Sequence, residues 1–268
     1  MPYRFLSDSH VHSDNSLDAL DPIIKICETA TNLNLFAITF TDHCECDTYY
    51  KKNYNKAISQ SYFESKKARA IFQDSIHVFA GVELGQPTHN KSAAKDALKK
   101  SDFDFVLASI HKLKKDVNFK HYNFTNDNIY NTLNLYFDEI LDLIDWGKFD
   151  SLSHLHYPLK FIDPQINLDL TQFEEKINLI LQKLAKKKKA LEVYSLQNSN
   201  YSCSILSEYN ILLKFKKFGG KYITVGSNSH SHKNLSFGIE NSLKVAKKAG
   251  FSNFTIYKNR KPISLSIV

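Results

Sequence analysis

Apolar residues follow two alternating rhythms along the chain. Short, nearly continuous apolar runs at 5–11, 36–41, 76–82, 103–110, 149–155, 190–194 and 222–226 read as buried strands. Between them lie stretches with apolar residues at every third or fourth position, which predict helices at 20–32, 62–72, 92–100, 128–147, 170–187, 204–218 and 235–249. In 128–147 the stripe runs Ile129, Leu133, Tyr136, Phe137, Ile140 and Ile144; in 170–187 it runs Phe173, Ile177, Ile180, Leu181 and Leu184. Asp21-Pro22 marks a helix start, and Gly147, Gly219-Gly220 and Gly250 mark helix ends. A last run at 252–257 reads as an eighth, edge or closing strand. Repeated strand-then-helix units predict an α/β fold with a parallel sheet under helices, and this many units favour a TIM-like barrel over an open sheet. No linker, internal repeat or phosphate-cradling glycine loop interrupts them, so residues 1–268 read as a single domain.

Composition narrows the setting. The chain is 43% hydrophobic and 24% charged, enough to build a core without disulfide staples. Cys27, Cys44, Cys46 and Cys203 lack framework or zinc-finger spacing and read as reduced thiols, which suits the cytoplasm. No leader-like or membrane-spanning apolar run is visible, so no membrane partner is expected. The net charge of +7 resides largely in lysine-rich stretches such as 183–189. That is either a solvated face or a field that draws in phosphorylated molecules. With only three arginines, Arg4, Arg69 and Arg260, a nucleic-acid face is disfavoured.

The polar residues add chemistry. In a barrel the C-terminal ends of the strands share one rim, where active sites are built. Eight of the eleven histidines fall at such ends: His10, His12, His43, His111, His154, His156, His230 and His232. His77, His89 and His121 fall elsewhere and read as structural or surface residues. Glu83 ends the third run, and Asp8 and Asp42 stand beside the histidines. His10-Val-His12 on a strand points both imidazoles to one face. So many imidazoles with carboxylates exceed the three or four ligands of one zinc ion, and predict two or three transition-metal ions, zinc, iron or manganese.

The motifs Asp8-Ser-His-Val-His12, Thr41-Asp-His43, Gly81-Val-Glu83, Ser109-Ile-His111, Ser153-His154 and Gly226-Ser-Asn-Ser-His230 resemble, in order, those of the polymerase-and-histidinol-phosphatase (PHP) family. The resemblance implies a distorted (β/α)7 barrel with three metal ions at its rim. It is nearest to the family's histidinol-phosphate phosphatases, which implies removal of phosphate from L-histidinol phosphate in histidine biosynthesis. Carried over by motif, the first ion has His10, His12, Glu83 and Asn228 as ligands, the second Glu83, His111 and His154, and the third Asp18, His43 and His230. Asn228 stands where the family usually has aspartate, which implies a weaker first site. Relatives often carry an arginine after the sixth strand; this chain has Ser195-Leu-Gln-Asn-Ser199 there, so phosphate recognition falls to Lys160 or to the residues near Gln197. The leaving alkoxide needs a proton, for which Asp42 and His232 are the candidates, with orientation of a ligand histidine as the other role open to Asp42. Other expectations left open are a phosphoesterase for nucleotides or phosphoproteins, and a non-catalytic barrel that binds metal or nucleic acid.

Overall fold

The computed structural model describes residues 3–194 and 207–268. Cys203, the 195–199 stretch with Gln197, and the start of the helix expected at 204–218 lie outside the described residues. Seven parallel strands form the barrel wall in the order β1 (Ser7–Val11), β2 (Ala37–Phe40), β4 (His77–Gly85), β5 (Phe105–Ser109), β6 (Ser151–Leu152), β7 (Ala190–Val193) and β8 (Ile223–Val225). β3 (His43–Glu45) extends the path of β2 and pairs with the upper half of β4, His43 opposite Glu83 and Glu45 opposite Gly85. The helices are α1 (Ile23–Asn32), α2 (Tyr54–Ile71), α3 (Lys91–Lys100), α4 (Ile129–Trp146), α5 (Glu174–Lys186), α6 (Glu208–Lys217) and α7 (Ile239–Lys248). The main core lies between them and the outer face of the sheet. All the stripe residues named for 128–147 and 170–187 are buried, and Gly147 caps α4.

The wall closes where β8 returns to β1. The closure is a single bridge, Val11 to Ser229, with the His12 amide donating to the Ser229 carbonyl at 2.9 Å. Gly226 permits this approach, because a Cβ there would stand 2.3 Å from the Cβ of His10. The barrel is thus nearly closed and distorted, a TIM-like α/β barrel of seven strands.

Three expectations change. The run at 252–257 does not join the barrel: β9 (Asn253–Lys258) and β10 (Lys261–Ser266) form a separate antiparallel hairpin. Its turn uses Asn259 and Arg260, both at positive φ, and so lacks the glycine that signals such turns in sequence. The hairpin plugs the N-terminal end of the barrel. Tyr257 stacks on Phe105 at 5.2 Å, the Asn259 amide donates to Asp104, and the Arg260 guanidinium pairs with Asp150. Helix α2 begins at Tyr54 rather than residue 62. Its buried face alternates apolar residues with Ser61 and Ser65, which broke the hydrophobic period. The fifth barrel strand is only two residues long, although Asp150 and Ser153 continue its backbone pairing with β5.

Candidate metal centre

The barrel interior changes character from floor to rim. Phe105, Leu107, Ala190 and Tyr257 form an apolar floor. Above it, the Ser151 and Thr224 hydroxyls bond across at 2.9 Å. At the rim, the fully buried Glu83 stands among five imidazoles. Its Oε2 faces His43 Nδ1 at 2.9 Å, His10 Nε2 at 3.6 Å and His12 Nε2 at 3.7 Å. Its Oε1 faces His154 Nε2 at 3.2 Å and His111 Nε2 at 3.3 Å. One carboxylate oxygen therefore serves each of two imidazole groups. His10, His12 and Glu83 form one potential ion-holding group; His43, Glu83 and His111 form another; His12, His43 and His230 form a third.

Two further carboxylates orient this cluster, and the sequence reading named neither. Glu192 Oε1 lies 2.7 Å from His10 Nδ1, and its Oε2 accepts the His154 amide at 2.9 Å. Glu45 Oε1 lies 2.8 Å from His111 Nδ1. Gly85 makes room for it, since a Cβ there would stand 2.5 Å from the Glu45 carboxylate. With Nδ1–H donated to these acids, the Nε2 lone pairs of His10 and His111 point inward at Glu83. Carboxylate–histidine pairs of this kind set the tautomer and raise the basicity of metal ligands. Lone pairs and a buried carboxylate facing one another need a cation between them, and Glu83 Oε2 makes no well-aligned hydrogen bond even with His43 Nδ1 at 2.9 Å. The donor set thus fits transition-metal ions.

The electrostatics show the same demand for positive charge. Burial alone would lower His10, but Glu192 and Glu83 outweigh it and lift it to about 10, so a proton takes its Nε2 lone pair unless a metal ion competes for it. Burial would raise Glu83, yet His111 and His10 hold it well below the usual carboxylate range. His12 goes the other way, lowered by burial and by His43 and His230. His156 is also buried, lies outside these groups, and is lowered to about 3 by burial and His154.

The remaining sequence candidates divide. Asn228 Oδ1 is 3.1 Å from His12 Nε2. Its backbone is left-handed, at φ 51°, a conformation asparagine tolerates. Asp18 Oδ1 lies 3.3 Å from His230 Nδ1 and 3.5 Å from His43 Nε2. Burial would raise its carboxyl, but His230 and His43 bring it down to about 2. Asp42 is buried in a serine cage. It accepts from the Ser13 amide (2.7 Å), the Ser13 hydroxyl (2.7 Å), the Ser16 hydroxyl (2.6 Å) and the Ser61 hydroxyl (2.5 Å). Its oxygens serve these four donors and bond no ligand histidine directly. Instead it fixes Ser16, whose hydroxyl accepts the His43 amide at 3.0 Å and touches His12 Nδ1 at 3.3 Å. His232 Nδ1 is 2.9 Å from Asp21 Oδ1, and neither His232 nor Asp42 lines the cavity described next.

That cavity, of about 540 Å³, opens beside the cluster. Asp18, His43, Glu45 and His111 line it together with Tyr157, whose ring packs on His111 at 5.0 Å, and Asp116, Val117, Asn118, Lys120 and His121 line it from the loop after His111. Lys160 is exposed on the turn Tyr157–Phe161 and is not part of the lining; Lys52, Lys112 and Lys120 are, as is His121, which read as a bystander in sequence. The turn Phe119–His121 packs on the Lys160 turn, with Tyr157 Oη 3.4 Å from Asn118 Oδ1. Desolvation beside the adjoining turn and the charge of Lys120 lower the Lys160 ammonium, exposed though it is.

Comparison with known proteins gives this geometry a family. The chain is 30% identical over 279 residues to the histidinol-phosphatase of Lactococcus lactis subsp. lactis, covering 96% of this chain and 98% of that protein. A crystal structure of histidinol phosphate phosphatase from the same organism, complexed with zinc, L-histidinol and phosphate, superposes with a TM-score of 0.79. It covers 96% of this chain and 98% of that one, at 25% identity. A PHP domain model matches residues 8–195, and those residues carry Glu83, its five imidazoles and both orienting carboxylates. The chain belongs to the PHP domain family.

Proposed function

We propose that this chain is a metal-dependent phosphatase that releases phosphate from L-histidinol phosphate, with residues 1–268 acting as one cytoplasmic catalytic unit. The observation that carries the reading is Glu83, whose two oxygens are divided between two groups of imidazoles beside a cavity large enough for a small phosphoester. The relative that shares nearly its full length binds zinc, L-histidinol and phosphate. Two or three ions, zinc foremost and iron or manganese as alternatives, are held by His10, His12, Glu83 and Asn228, by Glu83, His111 and His154, and by Asp18, His43 and His230. When bound, such ions supply a water-derived nucleophile at neutral pH and offset the phosphoryl charge.

The chain's own residues do the rest. Glu192 and Glu45 hold His10 and His111 in the tautomers that bind. The Asp42 serine cage sets the backbone from which His12, Asp18 and His43 project. Lys120, on the cavity wall, and Lys160, on the adjoining turn, place positive charge where the phosphoryl group enters. As ammonium groups they act as point charges on non-bridging oxygens. The test is phosphate release from L-histidinol phosphate, measured beside a nucleotide panel, on protein whose metal content is known. Preferential release from L-histidinol phosphate, lost in Glu83→Gln together with bound metal, is expected. Metal-loaded protein that leaves L-histidinol phosphate intact would refute the reading.

A further inference from the structure

The cavity wall carries four carboxylates, and three of them have cationic or ligand partners. Asp18 faces His43 and His230, Glu45 bonds His111, and Asp47 pairs with Lys112. Asp116 is the fourth. The only hydrogen bond its carboxylate makes among the described residues is from the neighbouring Val117 amide at 2.7 Å, and it has no ion-pair partner there. The loop that carries it is well braced. It leaves His111 and returns through an antiparallel bridge between Lys112 and Asn118, with the Phe119 amide donating to the His111 carbonyl at 2.9 Å. The Asp116 amide donates to the Leu113 carbonyl at 3.1 Å, and Lys115 takes a left-handed φ of 63° to turn the chain. Asp116 is therefore held on a short braced loop that starts at the candidate ligand His111 and lines the same cavity.

That placement has a consequence for the alcohol half of the substrate. The phosphoryl group must lie against the Glu83 cluster, and the cavity extends beyond it to the 112–118 loop. The net charge is +7, Lys112 is held by Asp47, and Lys52 and Lys120 line the cavity with no ion-pair partner among the described residues, so the field there favours anions and opposes an ammonium group. An amine entering there needs a local carboxylate not already neutralised. We propose that Asp116 receives the cationic amine of the substrate's alcohol portion and so makes the site selective for phosphomonoesters of amino alcohols. The inference rests on the phosphatase reading of the same cavity.

The test compares Asp116→Asn with the parent enzyme, both metal-loaded, on two substrate pairs. L-histidinol phosphate is set against p-nitrophenyl phosphate, and O-phosphoethanolamine against ethyl phosphate. Loss of a charge-assisted hydrogen bond predicts a fall of about tenfold or more in kcat/KM on the amine-bearing member, relative to the fall on its amine-free partner. The loss should appear in KM, inhibition by free L-histidinol should weaken in parallel, and Asp116→Glu should restore part of both. An equal fall on both members of each pair, or no fall on either, overturns the proposal. If the parent enzyme cleaves p-nitrophenyl phosphate but not L-histidinol phosphate, the functional reading fails by itself, and the phosphoethanolamine pair decides on Asp116 by the same rule.

Discussion

Glu192→Gln is the most informative single change at the centre. Glutamine keeps the volume and one acceptor oxygen but loses the charge and the second acceptor. In the native arrangement Glu192 serves two donors, His10 Nδ1 at 2.7 Å and the His154 amide at 2.9 Å. A glutamine can satisfy one; the other must face its NH2 group. A buried donor left without an acceptor costs about 1–3 kcal/mol. Loss of an acid that orients a metal-bound histidine costs about 10–100-fold in metal affinity, or about 1.4–2.8 kcal/mol. The first cost falls on folding and the second on binding, so the variant should hold metal about 10–100-fold more weakly and lose about 1–3 kcal/mol of stability while keeping its fold. Competition against a chelator of known affinity, with metal content read by elemental analysis and the fold by circular dichroism, measures this directly. Metal affinity equal to the parent's would refute the claim that Glu192 sets the ligand geometry.

Other changes probe other parts of the site. Asn228→Asp places a charged oxygen near His12 Nε2 in a backbone conformation both residues tolerate, and should slow metal loss to a chelator; equal loss would remove Asn228 from the ligand set. Lys120→Ala should raise KM more than Lys160→Ala, because both are exposed charges worth about 0.2–1 kcal/mol and only Lys120 lines the cavity; the reverse order would make Lys160 the main phosphate contact. Glu208 is raised to about 7 by burial, with Glu192 adding to the rise against a hydrogen bond from Ser242. Its folded value lies above the unfolded one, so its contribution is most favourable at low pH and is lost as pH rises through about 7. Glu208→Gln should therefore stabilise the protein by about 1–3 kcal/mol at pH 8.5 and much less at pH 5, in denaturant titrations; an equal change at both would exclude this origin.

The rim was legible in sequence because strand ends in a barrel share one face, so His10, Glu83 and His111 could be grouped without knowing a single contact. The orienting acids were not. Glu192 lies inside an apolar run, Ala190-Leu-Glu-Val193, and reads as one polar interruption of a strand. Glu45 belongs to β3, hidden because the apolar run stops before it and its pairing depends on how far β4 extends. Asp42 stands beside a ligand in sequence, yet its role is set by serines from two distant segments, 13–16 and 61. Lys160 and Lys120 are separated in sequence by a whole helix and strand, so only the packing of their turns shows which lines the cavity. The last hairpin was misplaced for a related reason: nothing local distinguishes a parallel closing strand from one whose partner is an antiparallel neighbour.

The seam between β1 and β8 has a consequence for the protein's lifetime. His12 and Asn228 meet across 216 positions of sequence, beside a closure made by one backbone bridge. Contacts this distant are bought with loop entropy and form late in folding. An ion gripping both sides of that seam would therefore act on the native side of the barrier, slowing escape from the folded state more than it hastens arrival. Metal supply would then govern not only turnover but also persistence, with starved molecules opening at the seam first and reaching proteases sooner.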